Sequence, residues 1–123
     1  QADVIISLEP MEALRYLPYL NKNGWIITSS APFVNISNYP DIEKLKSDYE
    51  KMNNVILFDV DQLAKENNVP RSANVILLGA AQKALGIEYD KLEGAIRRVF
   101  ARKGDVIVDA NIKALAIGKA VQK

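Results

Sequence analysis

The sequence predicts an α/β fold: one doubly wound, mainly parallel sheet flanked by helices. Three observations predict it. Short β-branched runs without polar alternation recur at residues 3–8, 25–28 and 54–58, the pattern of strands buried on both faces. Segments with helical periodicity separate them, and strands alternating with helices imply crossover connections in a parallel sheet. The length, 123 residues with 49% hydrophobic and 25% charged, fits one soluble globular domain and not two.

Taken in order, the first strand begins almost at the first residue. A central strand rarely opens a domain, so residues 1–123 are expected to be the later part of a single longer domain whose N-terminal part is missing. Glu9-Pro10 starts a helix, because proline lacks the N–H that the first helical position leaves unused. Ala13, Leu14 and Leu17 form its apolar face and Pro18 limits its run. Asn23-Gly24 reads as a turn with a left-handed stop. Residues 29–40 have loop composition, yet Phe33, Val34, Ile36 and Tyr39 make that loop apolar. An amphipathic helix follows at 41–52, with Ile42, Leu45, Tyr49 and Met52 on one face. Leu63 and Ala64 belong to a short helix after the third strand, ending near Asn67-Asn68.

Ser72 is placed to cap a helix over 73–85 that Gly86 stops. Val75, Ile76, Leu77, Leu78, Ala80 and Ala81 cover nearly its whole circumference, so it must be buried all round. Neighbouring helices could clamp it. The expectation adopted is that its outer face, with Leu77, Leu78 and Ala81, is an interface or is covered by a missing segment. Asp90-Lys91-Leu92-Glu93 has the form of a capping box, ahead of a stripe of Leu92, Ala95, Ile96, Val99 and Phe100. The tail from Asp105 contains the strand-like Val106-Ile107-Val108. Ile107, Ala110, Ala114, Leu115, Gly118 and Val121 nevertheless repeat at helical spacing, and helix is the reading adopted.

The absent residue types exclude much chemistry. Without cysteine the chain holds no iron–sulfur cluster, thiolate nucleophile or cysteine zinc site. Without histidine it lacks the side chain best suited to proton transfer near neutral pH. Ser-His-Asp and Cys-His mechanisms are therefore excluded within this chain. No catalytic residue and no metal ligand is assigned. No apolar run is long enough to span a bilayer, no signal peptide opens the chain, and the lack of cysteine fits a reducing cytoplasm. Residues 1–62 carry five basic and nine acidic side chains, and residues 63–123 carry eleven and six. Such a shift marks a basic surface for an anion or an acidic partner, not a nucleic-acid footprint.

Candidate residues are few. Glu9, just after the first strand, stands at the sheet edge where ligands bind, or is an acid favoured at a helix start. Asp59 and Asp61 follow the third strand and read as caps of the next helix. Arg97, Arg98, Arg102 and Lys103 could hold a polyphosphate such as coenzyme A, but read as a cationic helix end. Asn74 and Asn111 are polar residues in apolar helical stretches that either satisfy local backbone or reach a ligand or partner. No Gly-rich phosphate loop is present, and the Glu-Pro start of the first helix would repel a phosphate. Chemistry alone yields a non-catalytic α/β binding or scaffold domain.

Glu9-Pro10-Met11-Glu12-Ala13-Leu14-Arg15, Ala31-Pro32-Phe33-Val34-Asn35-Ile36 with Tyr39-Pro40, Ala73-Asn74-Val75-Ile76-Leu77-Leu78-Gly79-Ala80, and Asn111-Ile112-Lys113-Ala114-Leu115 with Gly118 carry a resemblance. Together they resemble the gamma-type subunit or domain of the 2-oxoacid:ferredoxin oxidoreductases, most closely its indolepyruvate branch. The resemblance implies a Rossmann-like gamma domain in a small subunit, not catalytic alone. The complex would oxidatively decarboxylate arylpyruvates to aryl-acetyl-coenzyme A with ferredoxin as acceptor. It implies a large partner carrying thiamine diphosphate and iron–sulfur clusters, with no cofactor bound by this chain, and ferredoxin and coenzyme A as partners through the complex. Glu9, Asn74 and Asn111, singled out by their positions, stay as the cofactor-binding candidates. The family's Gly-Gly-Gln-Gly and Arg-Gly-Gly segments have no counterpart in these residues. Alternatives are the pyruvate or 2-oxoglutarate branch, or a nucleotide-binding or scaffold module.

Overall fold

A computed structural model describes residues 2–30, 42–52 and 54–122. Most of the apolar loop predicted at 29–40 lies outside them, as do the side chains of Ile42 and Leu45 on the predicted helix face. The chain runs β1 (Ala2–Ser7), α1 (Pro10–Arg15), a 3-10 turn (Leu17–Tyr19), β2 (Leu20–Ser29), α2 (Ile42–Glu50), β3 (Val55–Phe58) and α3 (Val60–Glu66). It continues through α4 (Ala73–Ala80), α5 (Gln82–Leu85), α6 (Tyr89–Phe100), a 3-10 turn (Ala101–Lys103) and α7 (Asp105–Val121). The three strands form one parallel sheet in the order β1-β2-β3, as the alternation of strands and helices predicts.

Side-chain alternation along the strands feeds two cores. Ile5, Ile26 and Val55 face α1 and α2, where they pack with Ala13 and Tyr49. The Tyr49 hydroxyl donates to the Pro10 carbonyl, tying α2 to the start of α1. Ile27 and Ile56 point the other way, into a larger core built with α3, α4, α6 and α7. Helices thus cover both faces, which is why the strands read as unbroken apolar runs.

Asn23-Gly24 is not a turn. Both residues lie inside β2, and Gly24 is not among the positive-φ glycines of the described residues, Gly86 and Gly104. β1 pairs Ala2 with Leu20 and then Val4 with Trp25, so β2 carries three extra residues in a bulge. Gly24 sits against Leu20 there: a Cβ would meet Leu20 Cδ1 at 2.5 Å. Leu17 also departs from its predicted face, exposed in the 3-10 turn instead of packed beneath α1.

The predicted helix over 73–85 is two helices, α4 and α5, with Ala81 between them. Gly86, at φ 70°, stops α5 in the left-handed conformation expected. Ser72 stands at the N-cap position of α4, but its hydroxyl makes no capping bond. The outer-face expectation is overturned: Leu77 and Ala81 are 3% and 0% exposed, enclosed by the chain's own residues. Leu78 is partly buried against the same core. α6 starts one residue before the predicted box, with Glu88 as N-cap and no side-chain cap, so Asp90 is an ordinary first-turn acid. Leu92 and Ile96 are buried as the stripe predicts, whereas Val99 is 70% exposed.

The tail is the predicted helix, and α7 supplies α4's cover. Val108, Ala114, Leu115 and Gly118 of α7 are buried. Two glycines decide the fit. A Cβ on Gly79 would meet the Leu115 carbonyl oxygen at 2.3 Å, and one on Gly118 would meet that of Ile76 at 1.9 Å. Neither obstacle is a flexible side chain, so the two backbones touch where no Cβ fits. The end of α7 is held as well: Gln122 Oε1 accepts from the Lys83 N–H at 3.0 Å, and Gln122 Nε2 donates to Gln82 Oε1 at 2.9 Å.

A pair of glycine substitutions tests this geometry. Gly118→Ala should destabilise the protein by about 2–3 kcal/mol, the scale of forced overpacking. Gly94→Ala, whose Cβ would meet only Arg98 Nη1 at 3.5 Å, should stabilise by roughly 0.5 kcal/mol through helix propensity. Urea unfolding of both variants reads the contrast, and equal effects would show that the α4–α7 contact is not backbone-tight.

Candidate functional site

Two regions hold the residues singled out by sequence. The first is the carboxyl edge of the sheet. The Ser7 hydroxyl donates to the Glu9 carbonyl and accepts from the Glu9 N–H, both at 3.0 Å. The Glu9 carboxylate turns onto α1 and accepts the Met11 N–H at 2.8 Å. Asp59 does the same for α3, its Oδ1 accepting the Gln62 N–H at 2.9 Å, while Asp61 is exposed in the first turn. Ser29 Oγ accepts the buried Val60 N–H at 3.2 Å. These groups serve helix starts, where four N–H groups otherwise lack partners.

The second region is a cleft of about 400 Å³ between the turn preceding α4, the end of α6 and the first turns of α7. It brings together Asn74 and Asn111, 37 residues apart, with Arg71, Ser72, Phe100 and Lys103. Helix pairing explains the meeting. α4 and α7 run in the same direction: the Ser72–Asn74 end of α4 meets Asn111 at the cleft, and Gly79 meets Leu115 and Gly118 further along. Asn111 is buried, and its Nδ2 donates to the Ile107 carbonyl one turn back at 2.9 Å. Asn74 is exposed at the cleft mouth. Glu9 does not line this cleft. Of the predicted cationic cluster only Lys103 does; Arg97 pairs with Glu93 at 3.0 Å, and Arg98 and Arg102 are exposed elsewhere.

Arg71 is the residue that sequence reasoning passed over. A signal existed. A cation just before a helix start opposes the helix dipole, which favours acids there, and Pro70-Arg71-Ser72 places one immediately before α4. A further cleft of about 400 Å³ at the amino edge, lined by Leu17, Lys22, Asn23, Met52 and Asn54 among others, holds no predicted site residue.

The residues lining the cleft at the start of α4 include two cations and three asparagines and no carboxylate. Among the described residues no group of three acids is arranged to hold a metal. Outside the cleft, at the start of α6, burial first and then the nearby carboxylates of Glu93 and Asp90 push the Tyr89 phenol above its usual 10.0. No helix among the described residues is long and apolar enough to cross a membrane.

Fold and cleft define a parallel α/β domain with helices packed on both faces of its sheet. The chain belongs to the pyruvate ferredoxin/flavodoxin oxidoreductase family, whose domain matches residues 1–121. It is 34% identical over 133 aligned positions to "Indolepyruvate oxidoreductase subunit IorB" of Pyrococcus horikoshii, covering 100% of this chain and 64% of that protein. Proteins of the same name from Thermococcus kodakarensis and Archaeoglobus fulgidus are 31% and 33% identical, covering 100% and 95% of this chain. The chain spans 61–64% of the length of these curated relatives. No solved structure matches.

The capping role of Glu9 is directly testable. Glu9→Ala should lower stability by about 1 kcal/mol, the usual cost of a lost N-cap. Glu9→Gln, which keeps an acceptor oxygen, should recover most of it in the same urea titration. Full stability in Glu9→Ala would leave the residue free for another role.

Proposed function

We propose that this chain is the gamma-type domain of the small subunit of an indolepyruvate:ferredoxin oxidoreductase. The observation that carries the reading is the family match over residues 1–121, joined to relatives all named as a subunit of the indolepyruvate enzyme. In the reaction an arylpyruvate, coenzyme A and two oxidised ferredoxins give the aryl-acetyl-coenzyme A, carbon dioxide, two reduced ferredoxins and a proton. Thiamine diphosphate supplies stabilisation of the carbanion left by decarboxylation, and iron–sulfur clusters carry the electrons. Both belong to a large partner subunit in this reading. Its support is that 123 residues without cysteine or histidine offer no cluster ligands. The small subunit's part is structural: a rigid sheet and helix layer that completes the assembly, in the reducing cytoplasm where cysteine-free composition and ferredoxin chemistry fit.

The family's own description, which names pyruvate, favours a second reading in which the substrate is pyruvate. Kinetics on the complete small subunit, co-expressed with its large partner and assayed anaerobically by viologen reduction, separates the two. kcat/KM for indolepyruvate should exceed that for pyruvate and 2-oxoglutarate by roughly 10-fold or more, since the ring is desolvated beside the reacting carbon. The reverse order would move the chain to another branch. Reduction above a blank by the small subunit alone would end the view that the chemistry resides on the partner.

A further inference from the structure

The corner where α6 passes into α7 exposes apolar side chains that its own fold does not use. Val106 is 81% exposed and Val99 70%, the two highest values among the described large hydrophobic residues. They flank the 3-10 turn at Ala101–Lys103, one in the last turn of α6 and one in the first turn of α7. Ile107, also exposed, continues the surface. A single exposed valine is ordinary. β-branched side chains, however, lose rotamer freedom in a helix and rank below alanine, lysine or glutamate there. Burial within this chain does not offset that cost at Val99 or Val106. A partner that takes both side chains out of water offsets it.

The charges at this corner have one dominant sign. Arg97, Arg98, Arg102 and Lys103 are all exposed and lie close together in the chain. Glu93 matches Arg97 at 3.0 Å. Among the described residues the ion pairs are Glu12–Arg15 and Glu93–Arg97, so Arg98, Arg102 and Lys103 face no carboxylate. Asp105 is the acid between Arg97 and Val106, placed in the first turn of α7 where the helix dipole favours it. The dipole of α6 draws cations to its last turn. That accounts for Arg97 and Arg98 more readily than for Arg102 and Lys103, which lie past its last residue.

We propose that the α6–α7 corner docks onto the large partner subunit, at a patch of that subunit where carboxylates ring an apolar recess. The inference rests on the subunit role proposed above and gives it a place on the molecule. Charge complementarity selects the partner's chemistry. Unmatched cations repel a basic surface, whereas carboxylates opposite them steer the encounter and fix its orientation. Val99 and Val106 supply the desolvated centre of the contact and the arginines its polar rim, the usual anatomy of a specific interface. A second exposed apolar group, Tyr16 and Tyr19 with rings 6.3 Å apart beside Leu17, lacks this pairing of features. Arg15 next to it is already matched by Glu12 at 2.9 Å.

Titration of the complete small subunit onto its immobilised large partner, at low and at high salt, tests this without turnover. Val99→Glu and Val106→Glu should each weaken binding about tenfold or more. Arg98→Glu combined with Arg102→Glu should weaken it as well, and should flatten the loss of affinity that salt causes in the parent protein. All four side chains are exposed, so the variants should melt like the parent. Tyr19→Glu, at the second apolar group, should leave affinity unchanged. Absence of binding by the parent small subunit would defeat the subunit role itself, and this surface with it. Parent binding that none of the corner variants weakens would overturn the docking surface alone. So would a loss confined to Tyr19→Glu, or a parent affinity indifferent to salt.

Discussion

Much of this structure follows from how closely two helix backbones approach. Gly79 and Gly118 leave no room for a Cβ against Leu115 and Ile76, so α4 and α7 meet backbone to backbone. Close approach maximises dispersion contacts along the pair and allows the core between the helices and the sheet to pack without voids. It also seals α4, whose apolar circumference would otherwise need outside cover. Leu115, fully buried at this contact, joins Ile76 and Ile27 in the larger core. One contact thus links the last helix of the chain to its central strand.

The sheet has a complementary logic. Three short parallel strands are a thin layer, and they hold only because both faces are covered. On one face α1 and α2 suffice, clipped by the Tyr49–Pro10 hydrogen bond. The other face takes four helices. Helix starts at the carboxyl edge are fixed by Glu9, Ser29 and Asp59, side chains that in a catalytic α/β domain would be available to a ligand. Here they are spent on backbone N–H groups.

Local information carried the elements. β-branched runs announced the strands, and Ala110, Ala114, Leu115 and Gly118 outweighed the strand-like Val106-Ile107-Val108 because seventeen residues of period outvote three. What failed was non-local. Asn23-Gly24 has turn chemistry, but pairing with β1 draws it into a bulged strand. Val99 fits its helical stripe, yet among the described residues that side of α6 leaves it 70% exposed. Asn74 and Asn111 could be noticed singly as polar intrusions; that they share a cleft depends on the parallel pairing of α4 with α7, which no short segment encodes. Arg71 escaped notice because a lone surface arginine is ordinary until the helix start beside it lacks a cap.

The fastening of α7 is uneven. Gly118 pins it against α4, and Gln122 ties its end to α5, while its opening turn exposes Val106 and Ile107. Eleven residues separate Ile107 from Gly118, an arm of about 16 Å at 1.5 Å per residue. The helix is in effect a lever with its fulcrum at the glycine. A tilt of about 5° there would carry Ile107 roughly 1.4 Å across the mouth of the cleft. The buried Val108, Asn111, Ala114 and Leu115 between those two points are what resist such a tilt and hold the cleft at its width.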